Sequence, residues 1–155
     1  MNMGDNPLDA SLLLFPIFEV THIVSFAIAI GTVALVDFRM LGLAMPRQAP
    51  GKLMRDTRLW TLIALCATVF SGLLMYSTEP EKYYLNVSFL FKLACLFLAI
   101  TFHYTVHRRV VLAQRSGSRI EAGAKLVACV SLVLWVSVVF GGIFIEFVRP
   151  GLSFN

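Results

Sequence analysis

The sequence predicts an all-α integral membrane protein: one four-transmembrane-helix bundle over residues 1–155, with both termini outside, on the periplasmic face. Three observations predict it. Hydrophobic residues make up 58% of the chain and charged residues 14%, against about 25% charged in an average soluble domain. Four stretches reach the roughly 20 apolar residues that a spanning helix needs. The basic residues gather in the connections at one end of the resulting bundle. So much apolar surface cannot be buried in one soluble core of this size, which excludes a soluble enzyme, a disordered tail and a secreted disulfide scaffold.

The first stretch covers about residues 12–45, the second 59–76, the third 88–107 and the fourth 126–148. A polar segment with Pro46, Pro50 and Gly51 separates the first two, a turn at Glu79-Pro80-Glu81-Lys82 the next pair, and a loop through Arg115 and Arg119 the last. These are ordinary connector compositions. The first ten residues carry Asp5, Pro7 and Asp9 but no Lys or Arg, so no signal-peptide n-region is expected and the first helix is read as a true span. Cys66, Cys95 and Cys129 all fall inside apolar runs and read as small buried thiols.

Charge placement sets the expected orientation. Of 13 Lys and Arg, five flank the first connection (Arg39, Arg47, Lys52, Arg55, Arg58) and five follow the third span (Arg108, Arg109, Arg115, Arg119, Lys125). The positive-inside rule puts both of these loops in the cytoplasm. The net charge of +4 is then a topology signal, and no nucleic-acid partner is needed to explain it.

Ionisable groups inside a span cost roughly 2.5–3.5 kcal/mol on insertion scales, so each calls for a partner or a task. The first helix holds Glu19, His22 and Asp37, the third Lys92 and His103, and the fourth Glu146 near its end. At 100° per residue Glu19, His22, Ser25, Ala29 and Val36 share a face, as do Lys92, Cys95, Ala99 and His103. Thr61, Thr68 and Ser71 give the second helix a similar stripe, and Ser131, Trp135, Gly142 and Glu146 the fourth. Each helix thus has one small or semi-polar face, as expected of a bundle with something held inside it.

Imidazoles on different helices suggest haem, because neutral imidazole ligates iron and bundle cores hold cofactors between facing helices. Depth selects among the possible partners of His22. At 1.5 Å per residue His22 lies about 12 Å below the outer surface, Lys92 about 6 Å and His103 about 22 Å. Two axial ligands of one iron sit at nearly equal depth, and a long Lys side chain bridges the smaller step, so Lys92 is preferred to His103. The plainer readings are that Lys92 snorkels to the headgroups, that His22 bonds only to Glu19 or a neighbouring helix, and that His103 is a structural donor across the bundle. His107, followed by Arg108 and Arg109, reads as part of the cytoplasmic headgroup belt, and Asp37 with Arg39 as a local pair or cap at a helix end.

The first helix reads Phe15-Pro16, Glu19, His22, Gly31 and then Val36-Asp37-Phe38-Arg39-Met40-Leu41-Gly42. It resembles bacterial four-helix membrane domains of unknown function in which a first-helix His precedes a small-residue run and an Asp-Leu-Arg-Leu-Leu-Gly motif. The resemblance extends through Ser71-Gly72-Leu73-Leu74, through Asn86, Phe89 and Lys92, and to Ser131 with Trp135, so it spans about residues 15–147. More distantly, the chain is similar to the HemJ-type membrane protoporphyrinogen oxidases, four-helix haem b proteins with a His and an Arg in the first helix and a Lys in the third. That likeness implies these roles for His22, Arg39 and Lys92, and Phe102-His103 falls where that family often has an aromatic residue followed by His. The chain departs from it at Asp-Phe-Arg and in its C-terminal segment. A looser likeness to membrane domains of copper-resistance proteins implies a copper-handling alternative.

The resulting expectation is a b-type membrane cytochrome of the bacterial inner membrane, with one haem b near the outer leaflet. His22 is the first ligand, and Lys92 the second with His103 as alternative. Ser25, Ala29 and Cys95 leave room for the ring, and Glu19 orients His22 or meets a propionate through water. Its partners would be a quinone pool and a periplasmic redox protein, or its task a HemJ-like oxidation. The competing class is a non-redox accessory subunit whose polar stripes serve assembly into an oligomer or a larger membrane complex.

Overall fold

Helix α1 (Leu14–Leu41) ends where Gly42 takes φ +84°. Gly42 N–H bonds to Arg39 O and Leu43 N–H to Phe38 O, the paired bonds of a Schellman cap, which needs a residue at ease at positive φ. The Asp37–Gly42 run is therefore partly a helix stop, and it ends the helix four residues before the expected boundary at 45. The computed structural model describes residues 14–78, 80–114, 120–145 and 147, leaving aside the side chains of Leu14 and Lys82. The expectations for Asp5, Asp9, Glu79, Arg115, Arg119, Glu146 and Arg149 fall outside the residues, and that for Lys82 outside the side chains, that it describes.

Helix α2 (Pro50–Thr78) starts nine residues before the expected 59. Its first turns carry Lys52, Arg55 and Arg58, which lower local hydropathy, yet Leu53 and Met54 on the opposite side are buried. Proline at its first position removes an N–H that would lack an intrahelical partner. The expected turn before the third span contains a short helix, α3 (Pro80–Tyr84). Asn86 then caps α4 (Val87–Phe102): its side chain accepts from Ser88 and Phe89 N–H, and its Nδ2 donates to Ile145 O at 2.9 Å. The helix continues through a π-helical turn, His103–His107, into α5 (Arg108–Ala113), making one span of 27 residues from Val87 to Ala113. The fourth span is α6 (Ala122–Ile143).

Among the described residues, four helices are long and apolar enough to cross a membrane: α1, α2, the α4–α5 span and α6. Their outward faces are lined with Leu59, Trp60, Phe70, Phe97 and Leu126, each more than 60% exposed. Apolar faces this continuous fit contact with lipid. Cys66 and Cys129 belong to that outer surface, so of the three expected buried thiols only Cys95 is buried. An apolar run gives no helix phase for a small residue, and these two happen to face outward.

Backbones approach closely between α1 and α2, between α4 and α6, and between α1 and α6. The third span comes close to α2 mainly through α5, at the end that bears the basic loops. Two apolar clusters fill the interior. One joins Ala29, Val33, Ala64, Leu65, Cys95, Ala99, Trp135 and Val138 at mid-depth, and the other joins Val36, Met40, Leu53, Met54, Val111, Ala124 and Ala128 toward the basic end.

Candidate functional site

The first polar site lies at the end away from the basic loops. His22 of α1 and Lys92 of α4 meet there, Lys92 Nζ standing 3.4 Å from His22 Nε2. On its other nitrogen, His22 Nδ1 lies 3.2 Å from Ser71 Oγ of α2. The Ser71 hydroxyl proton is already engaged by the backbone carbonyls of Ala67 (2.7 Å) and Thr68 (3.1 Å). Ser71 can therefore only accept from His22, so Nδ1 carries the proton and Nε2 presents its lone pair toward Lys92. A hydrogen bond to one ring nitrogen fixes the tautomer and ring plane in which the other is presented, as in metal-ligating imidazoles.

Glycines make the space for this pair. A Cβ on Gly72 would stand 3.0 Å from His22 Cε1, so the imidazole lies against α2 where only hydrogen fits. A Cβ on Gly141 would meet Lys92 Cβ at 3.0 Å and its Cα at 3.1 Å, and one on Gly142 would lie 3.5 Å from Nζ. The Lys92 stem thus runs along α6 and its amino group points inward to His22, where a snorkelling lysine would point outward. Around the connection from α2 to α4 an aromatic cluster forms, with Tyr76 and Phe89 stacked at 5.9 Å and Tyr83 against Phe89 at 5.3 Å.

The second polar site lies toward the basic end. His107 Nε2 and Asp37 Oδ1 are 2.6 Å apart, and both side chains are 0% exposed. His103 stacks on His107 with ring centroids 5.0 Å apart, and the Ser131 hydroxyl of α6 lies beside the Asp37 carboxylate. Among the described residues, Asp37 Oδ2, His103 Nδ1, His107 Nδ1 and Ser131 Oγ complete no hydrogen bond. His103 also lines a cavity of about 30 Å³ with Thr57, Thr61, Tyr104, Arg58 and Arg108.

A family model described as a family of unknown function, DUF6644, matches residues 14–148. The chain belongs to that family. No curated protein and no solved structure matches it, so the more distant likeness to HemJ-type oxidases is not among the matches.

In this DUF6644 chain the expected site residues fall at different places along the bundle. His22 and Lys92 come together. Ala29 and Cys95 lie deeper, in the mid-depth apolar cluster, while Ser25 is half-buried on α1 and Glu19 is exposed near its start. His103 belongs to the other end, one π turn from His107. Arg39 does not approach His22: its guanidinium bonds to the carbonyls of Gln48 and Pro46 and pins the α1–α2 connection. The reading of Asp37 and Arg39 as a local pair is corrected by this geometry, since Asp37 turns inward to His107. His107 is likewise no part of a headgroup belt, being fully buried. Two arginines follow it in sequence, but the π turn and helical phase set its own side chain on the inner face. The signal that finds it is the separation from His103: four residues return nearly to the same face.

Proposed function

We propose that this chain is a four-helix membrane cytochrome that holds one haem b between His22 and Lys92. The observation that carries the reading is the meeting of two nitrogen donors from α1 and α4, helices whose backbones are not close neighbours, with small residues beneath each donor. The donor set fits the group. Among the described residues no three His, Cys, Asp or Glu side chains gather to hold a bare metal ion. A haem brings its own equatorial nitrogens and asks the protein for only two donors. His22 Nε2, and Lys92 Nζ once it has released its proton, would be the two nitrogens that hold the group.

When bound, the haem supplies one-electron chemistry. The chain's own residues hold and orient it. Ser71 fixes the His22 tautomer and ring plane, Gly72 sets how closely the imidazole approaches α2, and Gly141 with Gly142 keep the Lys92 stem aimed inward. Phe15-Pro16 and Glu19 precede His22 on the same side of the bundle, which the basic-loop rule assigns to the periplasm. The protein is then a multi-pass protein of the bacterial inner membrane with both termini outside, exchanging electrons between quinone and a periplasmic partner or serving a HemJ-like oxidation. Absorption spectra of membranes containing the protein test this. A Soret band that shifts on dithionite reduction is expected, and its absence from haem-replete cells would leave the polar pair as a packing device of an accessory subunit.

A further inference from the structure

We propose that His103, His107 and Asp37 form a proton path running from the cavity near the basic loops to the buried carboxylate. Five observations carry it. Asp37 and His107 are 0% exposed inside a helix bundle with an apolar exterior, where chains of Asp and His side chains typically serve as proton relays. His107 is held for transfer through its ring: Nε2 faces Asp37 Oδ1 at 2.6 Å while Nδ1 has no partner among the described residues. His103 stacks on it at 5.0 Å and also lines the cavity, so it touches both sides of the step. The cavity, about 30 Å³, is large enough for a water molecule, with hydroxyls of Thr57 and Thr61 in its wall to hold one. A π-helical turn holds the two imidazoles, a distortion that recurs at functional sites.

The step balances without any redox partner. A proton entering from the cavity reaches His103 and passes to His107 Nδ1 by way of a water that enters between the two unpartnered ring nitrogens. His107 releases the proton on Nε2 to Asp37 Oδ1 and is left in its other tautomer. The groups facing the path are Arg58 of α2, Tyr104 and Arg108 on the third span, Asp37 of α1 and Ser131 of α6. Asp37 is the negative one among them, so a proton entering from the cavity comes to rest there. The inference does not depend on haem at the opposite end.

Histidine NMR tests it, because the chain holds just three histidines. The full chain, with ¹⁵N in its histidine rings, is placed in lipid nanodiscs, and ring-nitrogen shifts and their exchange with D₂O are followed. His107 is expected to show shifts averaged between protonated and unprotonated nitrogen. His103→Phe, which keeps a stacked ring but cannot carry a proton, is expected to slow ring N–H exchange at His107 by about tenfold. Thr57→Val, which removes a hydroxyl from the cavity wall, is expected to slow it in the same direction, and serves if His103→Phe fails to fold. A single fixed His107 tautomer in the wild type, or exchange unchanged in whichever variants fold, overturns the path.

Discussion

The two ends of the bundle hold similar side chains in opposite states. At the end away from the basic loops, His22 is bonded on both ring nitrogens, to Ser71 and Lys92, and glycines of α2 and α6 sit beneath the pair. At the basic end, Asp37, His107 and His103 share one short contact and, with Ser131, leave four polar atoms without completed hydrogen bonds among the described residues. Between them, Ala29, Val33, Ala64, Leu65, Ala99 and Trp135 form a mainly apolar layer, beside which the Thr32 and Thr61 hydroxyls meet at 2.8 Å. The difference teaches what each end is built for. A site that aims one lone pair and satisfies everything else is organised to hold a group still. A site with open donors and acceptors beside a water-sized cavity is organised to pass something through.

Breaking each end should therefore have a different signature. The largest effect is expected from Asp37→Ala, which leaves His107 buried without its partner: about 3–5 kcal/mol of stability should be lost. Thermal or SDS-driven unfolding followed by helical ellipticity measures this, and haem content per folded chain should stay unchanged. Next, Gly141→Val places side-chain atoms against the Lys92 backbone and should cost about 1–3 kcal/mol by overpacking. Here the loss should come with loss of haem, since Lys92 is displaced; the two readouts separate this variant from Asp37→Ala. Gly42→Ala forces an L-residue to φ +84° and should cost about 1–2 kcal/mol, with both polar sites intact. Smallest in stability is Ser71→Ala, whose hydroxyl is the second contact of His22. Unfolding should shift little, while haem retention during detergent washing weakens by about 10–100-fold, as for the outer partners of other metal-ligating histidines.

The four spans were legible because the length and hydropathy of a spanning helix do not depend on tertiary detail. The fixed rise of 1.5 Å per residue also made the meeting of His22 with Lys92 legible, by comparing depth along two helices. The early start of α2 was hidden by Lys52, Arg55 and Arg58, which read as loop in hydropathy while Leu53 and Met54 carry the buried face. The His107–Asp37 contact was hidden for another reason: 70 residues separate the partners, and Arg108 and Arg109 mask the inward phase of His107. Arg39 was drawn toward His22 by resemblance, but its position three residues before Gly42 sets it at the helix stop, where it ties down the following loop.

The central claim is that His22 and Lys92 hold one haem b, and a pyridine haemochrome measurement on purified protein tests it most directly. The wild type is expected to yield about one haem b per chain and His22→Ala essentially none, with both proteins equally helical. Wild-type protein without haem, or His22→Ala protein that keeps it, would contradict the account.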